Sequence, residues 1–226
     1  MPSNQPIGIF DSGFGGLTVA RAIIDLLPSE DIVYFGDTSR YPYGPQPLEE
    51  VKSYSEQISD YLIAEHDVKM IVIACNTASA AAEGDLRDST EIPIVGVITP
   101  GAQAVAEVSS TKRIGVIGTV GTINSQAYDH AIKGISPGNI ELVSVACPGF
   151  VEFVERGEFE GEQVRILADR LLAPVIQADV DALLLGCTHY PYLARAIGES
   201  LGEGVVLVSS ADETAFAVAK SLKAKD

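Results

Sequence analysis

Two stretches of this chain repeat one pattern. Residues 71–77 read Ile-Val-Ile-Ala-Cys-Asn-Thr, and residues 183–189 read Leu-Leu-Leu-Gly-Cys-Thr-His. In each, an apolar run ends in a small residue, then a cysteine, then side chains that donate or accept hydrogen bonds. An apolar run this short, bounded in this way, reads as a strand buried on both faces in a parallel sheet. Ligands of open α/β sheets gather at the carboxyl ends of such strands. Cys75 and Cys187 are therefore expected at strand tips, one in each half of the chain. Two thiols on opposite sides of one small molecule have the arrangement that stereoinversion at carbon requires. One takes a proton, and the other returns a proton to the opposite face.

Strand and helix signals alternate along the whole chain. Strands are expected over 6–10, 31–35, 69–74, 92–97, 113–117, 140–145, 181–185 and 205–208. Helices are expected over 48–66, 77–87, 101–108, 150–156 and 163–177, with a shorter one after the first strand. Ser210 and Glu213 read as a capping box opening a last helix that runs to about Leu222. Such βα repetition predicts parallel sheets with helices on both faces. The halves also match in spacing: 64 positions separate Asp11 from Cys75, and 68 separate Thr119 from Cys187. The expected fold is α/β, with two similar parallel-sheet domains related by a pseudo-two-fold and the active site in the cleft between them. The first domain is placed at 1–98 and the second at 99–208. Residues 209–226 are expected as a C-terminal helix returning to the first domain.

Charge and composition exclude several classes. The 226 residues carry 31 Asp and Glu against 15 Lys and Arg, a formal charge of −16. Nucleic acid favours basic surfaces, so it is not an expected partner, and an anionic membrane surface is disfavoured for the same reason. No apolar run reaches the length of a membrane span. Residues 1–5 lack the features of a secretory signal, and three cysteines are too few and too scattered for a disulfide framework; both point to the reduced cytoplasm. The cysteine spacing fits no zinc pattern, so no metal is expected. Gly13, Gly15 and Gly16 follow the first strand but form neither a dinucleotide fingerprint nor a phosphate loop. They read instead as a tight turn that lets Asp11 and Ser12 project into the cleft.

Six stretches carry a family resemblance: residues 10–19 (FDSGFGGLTV), 35–44 (FGDTSRYPYG), 73–80 (IACNTASA), 115–119 (GVIGT), 146–157 (ACPGFVEFVERG) and 185–191 (LGCTHYP). They run across nearly the whole chain in family order, and the sequence resembles the glutamate racemases. The resemblance implies cofactor-independent interconversion of L- and D-glutamate for peptidoglycan, with glutamate as the small-molecule partner. It implies acid/base roles for Cys75 and Cys187, with Asp11 beside Cys75, and His189 and Glu155 serving Cys187. Ser12, Tyr43, Gly44, Asn76, Thr77 and Thr188 match substrate-binding positions, and Asp11 and His189 are counted with them. Thr119 and Thr122, which mirror Ser12 in the second half, are expected at the side-chain carboxylate. Thr77 and Thr188 are expected to open helices, and Tyr43 is either a cleft residue or a surface turn aromatic.

Cys147, His66 and His130 match no catalytic position and read as structural or surface residues. The family commonly continues past the last helix, so a tail packing on the first domain is expected to be missing here. Glu152 stands where the family often has proline. A homodimer is compatible with the pattern. Two other readings remain: a related racemase acting on aspartate, and a non-catalytic carboxylate-binding protein.

Overall fold

The computed structural model describes residues 4–135, 138 and 140–224. Strands β1 (Ile7–Asp11), β2 (Ile32–Gly36), β3 (Met70–Ile73) and β4 (Ile94–Gly96) form one sheet in the order β2-β1-β3-β4. Strands β5 (Arg113–Gly118), β6 (Glu141–Ala146), β7 (Ala182–Gly186) and β8 (Val206–Ser209) form a second, in the order β6-β5-β7-β8. All pairings are parallel, and each sheet repeats the same order. In both, the chain steps outward from the first strand, then crosses back to the third. That reversal opens a crevice between the carboxyl ends of those two strands. Asp11 ends β1 and Cys75 follows β3; Thr119 follows β5 and Cys187 follows β7.

The helices are α1 (Leu17–Leu26), α2 (Leu48–His66), α3 (Asn76–Ser89), α4 (Ile98–Val108), α5 (Val120–Asn124), α6 (Ala127–Ile135), α7 (Phe150–Glu155), α8 (Glu162–Gln177), α9 (Ala194–Leu201) and α10 (Ala211–Lys223). They cover both faces of both sheets, so residues of β1, β3, β4 and β7 are buried whichever way they point. Phe10, Ile71 and Ile73 face α2 and α3, whereas Ile7, Ile9 and Val72 face α1 and α10. In the second sheet, Leu183 and Leu185 face α8 and α9, and Leu184 faces α4 and α6. This is why the runs before both cysteines are apolar without alternation. Each such Leu or Ile contributes about 1.5–3 kcal/mol by leaving water. Helix α10 buries Ala215 and Val218 against α1 and the first sheet. Among the described residues no helix is long and apolar enough to cross a membrane.

Two sequence expectations are corrected. Ser210 precedes α10, but its side chain makes no capping hydrogen bond, and its backbone is already helical. The capping box does not form, because an N-cap side chain reaches the first free N–H groups from extended backbone, not from helical backbone. Thr188 does not open an α-helix. It precedes a single 3₁₀ turn, Tyr190–Leu193, that leads into α9.

Candidate active site

The loops after the first three strands of each sheet line one cleft. Ser12, Tyr43, Gly44, Cys75, Asn76 and Thr77 line it from the first half, and Thr119, Cys187, Thr188 and His189 from the second. Asp11, Thr122 and Glu155 stand one layer behind this wall.

On the first side, Cys75 ends the extended chain leaving β3, and α3 starts at the next residue. Its thiol lies 3.8 Å from the Ser12 hydroxyl. Asp11 is fully buried; its Oδ2 accepts a hydrogen bond from the Gly13 N–H at 2.9 Å, and its Oδ1 has no partner. Burial pushes the Asp11 carboxyl above its usual range, although the Gly13 N–H pulls it back. Burial, and then the Asp11 charge, push the Cys75 thiol up to about 12.

On the second side, the Cys187 thiol is likewise pushed far up, first by burial. The His189 Nδ1 lies 3.8 Å from its sulfur. The other ring nitrogen, Nε2, lies 2.7 Å from Glu155 Oε1 at the end of α7. An Nε2–H donating to that carboxylate leaves the Nδ1 lone pair facing the thiol. The Tyr41 ring crosses from the first half and lies over His189, with centroids 6.2 Å apart.

Three hydroxyls join the two halves. Thr77 is 2.9 Å from Thr119 and 3.2 Å from Thr122, and Thr119 is 2.9 Å from Thr122. Beside them the Gly121 N–H donates to the Gly44 carbonyl at 2.8 Å. Thr119 caps α5 by accepting from the Thr122 N–H. Gly44 has no room for a side chain, since a Cβ there would come 2.8 Å from Thr119 Cβ.

Tyr43 is not a surface turn aromatic. It is 1% exposed, and its hydroxyl donates to buried Asp37, which also takes Arg40 Nε at 2.6 Å. The side chain therefore anchors the 37–44 loop, and what that loop offers the cleft near Gly44 is backbone.

Sequence reasoning missed Asp37 and Tyr128, and it read Tyr41 only as part of a turn over the cleft. Tyr128 donates to Asn76 Oδ1 at 2.6 Å across 52 residues, a contact no local pattern announces. Asp37 and Tyr41 sit inside the quoted 35–44 stretch, so a signal was there, though not their partners. Cys147 is packed among core residues, 1% exposed, and it also forms part of the cleft wall beside Pro148. Burial pushes its thiol up to about 12. His66 packs against Tyr61 at the end of α2, and His130 is exposed on α6; neither reaches the cleft. Among the described residues no group of three or more His, Cys, Asp or Glu is placed to hold a metal ion.

The family model for Asp/Glu/hydantoin racemases matches residues 9–218. A glutamate racemase from Parafrankia sp. is 53% identical over 213 residues, which are 94% of this chain and 76% of that one. The crystal structure of a glutamate racemase isoform from Bacillus anthracis superposes with a TM-score of 0.93 at 43% identity, covering 98% of this chain and 82% of that one. The glutamate racemase of Francisella tularensis, solved in complex with D-glutamate, gives 0.92 at 38% identity, with 98% and 82% covered. Two parallel sheets meeting at a cleft, together with these likenesses, define the class: an amino-acid racemase. Within that class, the chain belongs to the glutamate racemase family.

Proposed function

We propose that the protein interconverts L- and D-glutamate by moving a proton at Cα between two thiols. The observation that carries this reading is the position of Cys75 and Cys187. They follow equivalent strands of the two sheets and line one cleft. By the family pattern, Cys75 takes the α-proton of D-glutamate and Cys187 that of L-glutamate. In each turnover the attacking thiolate becomes a thiol, and the opposing thiol gives its proton to the other face and becomes a thiolate. The site must therefore hold one proton fewer than two thiols.

Burial keeps both thiols neutral in the empty cleft, so that proton must pass to a neighbour. On the second side the neighbour is His189, whose Nδ1 faces Cys187 while Glu155 stabilises the imidazolium that results. On the first side, Asp11 stands behind Cys75 with an unpartnered oxygen, as His189 stands beside Cys187. The substrate ammonium, once bound, lowers the pKa of both nearby thiols. Asn76 and Thr77 begin α3, where N–H groups and the helix dipole favour a carboxylate. Ser12, Thr188 and the Tyr43–Gly44 backbone complete the substrate wall. Thr119 offers its hydroxyl to the side-chain carboxylate, with the Thr122 hydroxyl behind it. The product supplies peptidoglycan synthesis in the cytoplasm.

The test is a chiral assay of the purified protein with L-glutamate and with L-aspartate. D-glutamate should form and D-aspartate should not. Turnover of aspartate alone would make the protein an aspartate racemase, and binding of glutamate without turnover would make it a carboxylate-binding protein.

A further inference from the structure

Asn76 lines the cleft, and its carboxamide has two unlike ends. Oδ1 accepts a hydrogen bond of 2.6 Å from the Tyr128 hydroxyl, whereas Nδ2 is buried and has no partner. A buried amide donor without an acceptor is costly, and native sites that keep one commonly hold it for a ligand. Which end of the amide faces which way is decided by Tyr128. That side chain is fully buried on α6 of the second half, and burial raises its phenol, so it remains an O–H donor. The Ser210 side chain, which does not cap α10, lies beside this phenol. The phenol O–H donates to Asn76 and requires an acceptor there. The amide must therefore present Oδ1 to Tyr128 and leave Nδ2 free. The ring is fixed as well: a Cβ on Gly186, the residue before Cys187, would come 3.0 Å from Tyr128 Cε2.

We propose that Tyr128 is a positioning residue for the substrate, holding the Asn76 carboxamide so that Nδ2 donates to a carboxylate of glutamate. The proposal rests on the racemase reading above and extends the substrate site to a pair, Tyr128 and Asn76, that ties α6 to α3.

The experiment compares Tyr128→Phe, Asn76→Ala and the double variant. Tyr128→Phe keeps the ring and removes only the hydroxyl. KM for both enantiomers should rise about three- to tenfold, the worth of one hydrogen bond, with kcat changing less. In the Asn76→Ala background the same substitution should change KM by less than about twofold, because the two residues act as one unit. The side-chain amide signals of Asn76 in the unliganded protein, identified by their loss in Asn76→Ala, should shift or broaden in Tyr128→Phe. A merely structural role for Tyr128 would raise KM equally with and without Asn76, and that result overturns the proposal. Either readout left unchanged also overturns it. Ser210→Ala, which leaves the Tyr128 side chain whole, should move both readouts in the same direction by a smaller amount; it decides the matter if Tyr128→Phe does not fold. Should the wild-type protein fail to racemise glutamate, the functional reading falls by itself, and the amide signals alone decide whether Tyr128 holds Asn76.

Discussion

Replacing Gly15 by alanine tests whether the closed cleft is the working one. Gly15 belongs to the loop after β1, yet the nearest atoms to a Cβ built there belong to the other half. They are Thr188 Oγ1 at 2.4 Å and His189 Cε1 and Nδ1 at 2.6 Å. Ordinary contact begins near 3.4 Å, so the methyl must displace these groups, or the facing domain, by about 1 Å. Gly15 has no left-handed backbone torsion that alanine would resist, so the loop itself should fold. The strain falls on His189, which Glu155 holds at 2.7 Å and which faces the Cys187 sulfur at 3.8 Å. A misplacement of about 1 Å in a catalytic group costs on the order of 10²-fold in rate.

The assay is kcat/KM for L- and D-glutamate, followed by circular dichroism, beside a thermal melt. Enantiomers are equal in free energy, so kcat/KM must fall by the same factor in both directions, while Tm stays near wild type. Gly84→Ala is the matched control. Gly84 is exposed inside α3, and nothing lies within 4 Å of its Cβ position. It should add about 0.5–1 kcal/mol of stability through helix propensity and leave activity alone. Wild-type kcat/KM in Gly15→Ala would refute the reasoning, because the cleft would then have to work in a more open form.

Cys75→Ser and Cys187→Ser should each lower racemisation by about 10³-fold or more, since a serine hydroxyl is far less acidic than a thiol, while Cys147→Ser stays close to wild type; full activity in either of the first two would end the two-thiol mechanism. L-glutamate turned over in deuterated buffer should give D-glutamate deuterated at Cα from the first turnover, with the remaining L-glutamate still largely protiated. Early product rich in protium would instead indicate a single shuttling base. Stability should fall at alkaline pH. The buried thiols have raised pKa values, so their contribution is complete below the unfolded thiol value of about 8.5 and is lost above it, at about 1.4 kcal/mol per pH unit for each thiol. For Cys147 the loss continues until its folded value of about 12 is passed. Cys147→Ser should therefore make the alkaline decline in denaturation free energy shallower by one proton, and identical slopes would contradict the burial argument.

The sheets were legible because their signal is local. A strand covered on both faces must be apolar at every position, and the runs before Cys75 and Cys187 announced β3 and β7 with little else needed. Their repetition also implied two sheets of one design, and the end of a parallel strand is where such folds place ligands, so both cysteines could be read as facing a cleft. What the sequence could not supply is which side chains meet there. Glu155 reaches His189 over 34 residues, Thr77 meets Thr119 over 42, and Tyr128 meets Asn76 over 52. The first depends on how the loops after β6 and β7 meet and the other two on how one sheet is set against the other, and no periodicity within a single element encodes either. Ser210 shows the limit most plainly. By local pattern it caps a helix, worth about 1 kcal/mol in a typical case. In the folded protein its backbone is already helical and its side chain lies beside the buried Tyr128 phenol, so no cap forms. A capping bond can be replaced by water at a helix end, whereas a polar atom in a dry interior has only the partners that tertiary packing brings to it.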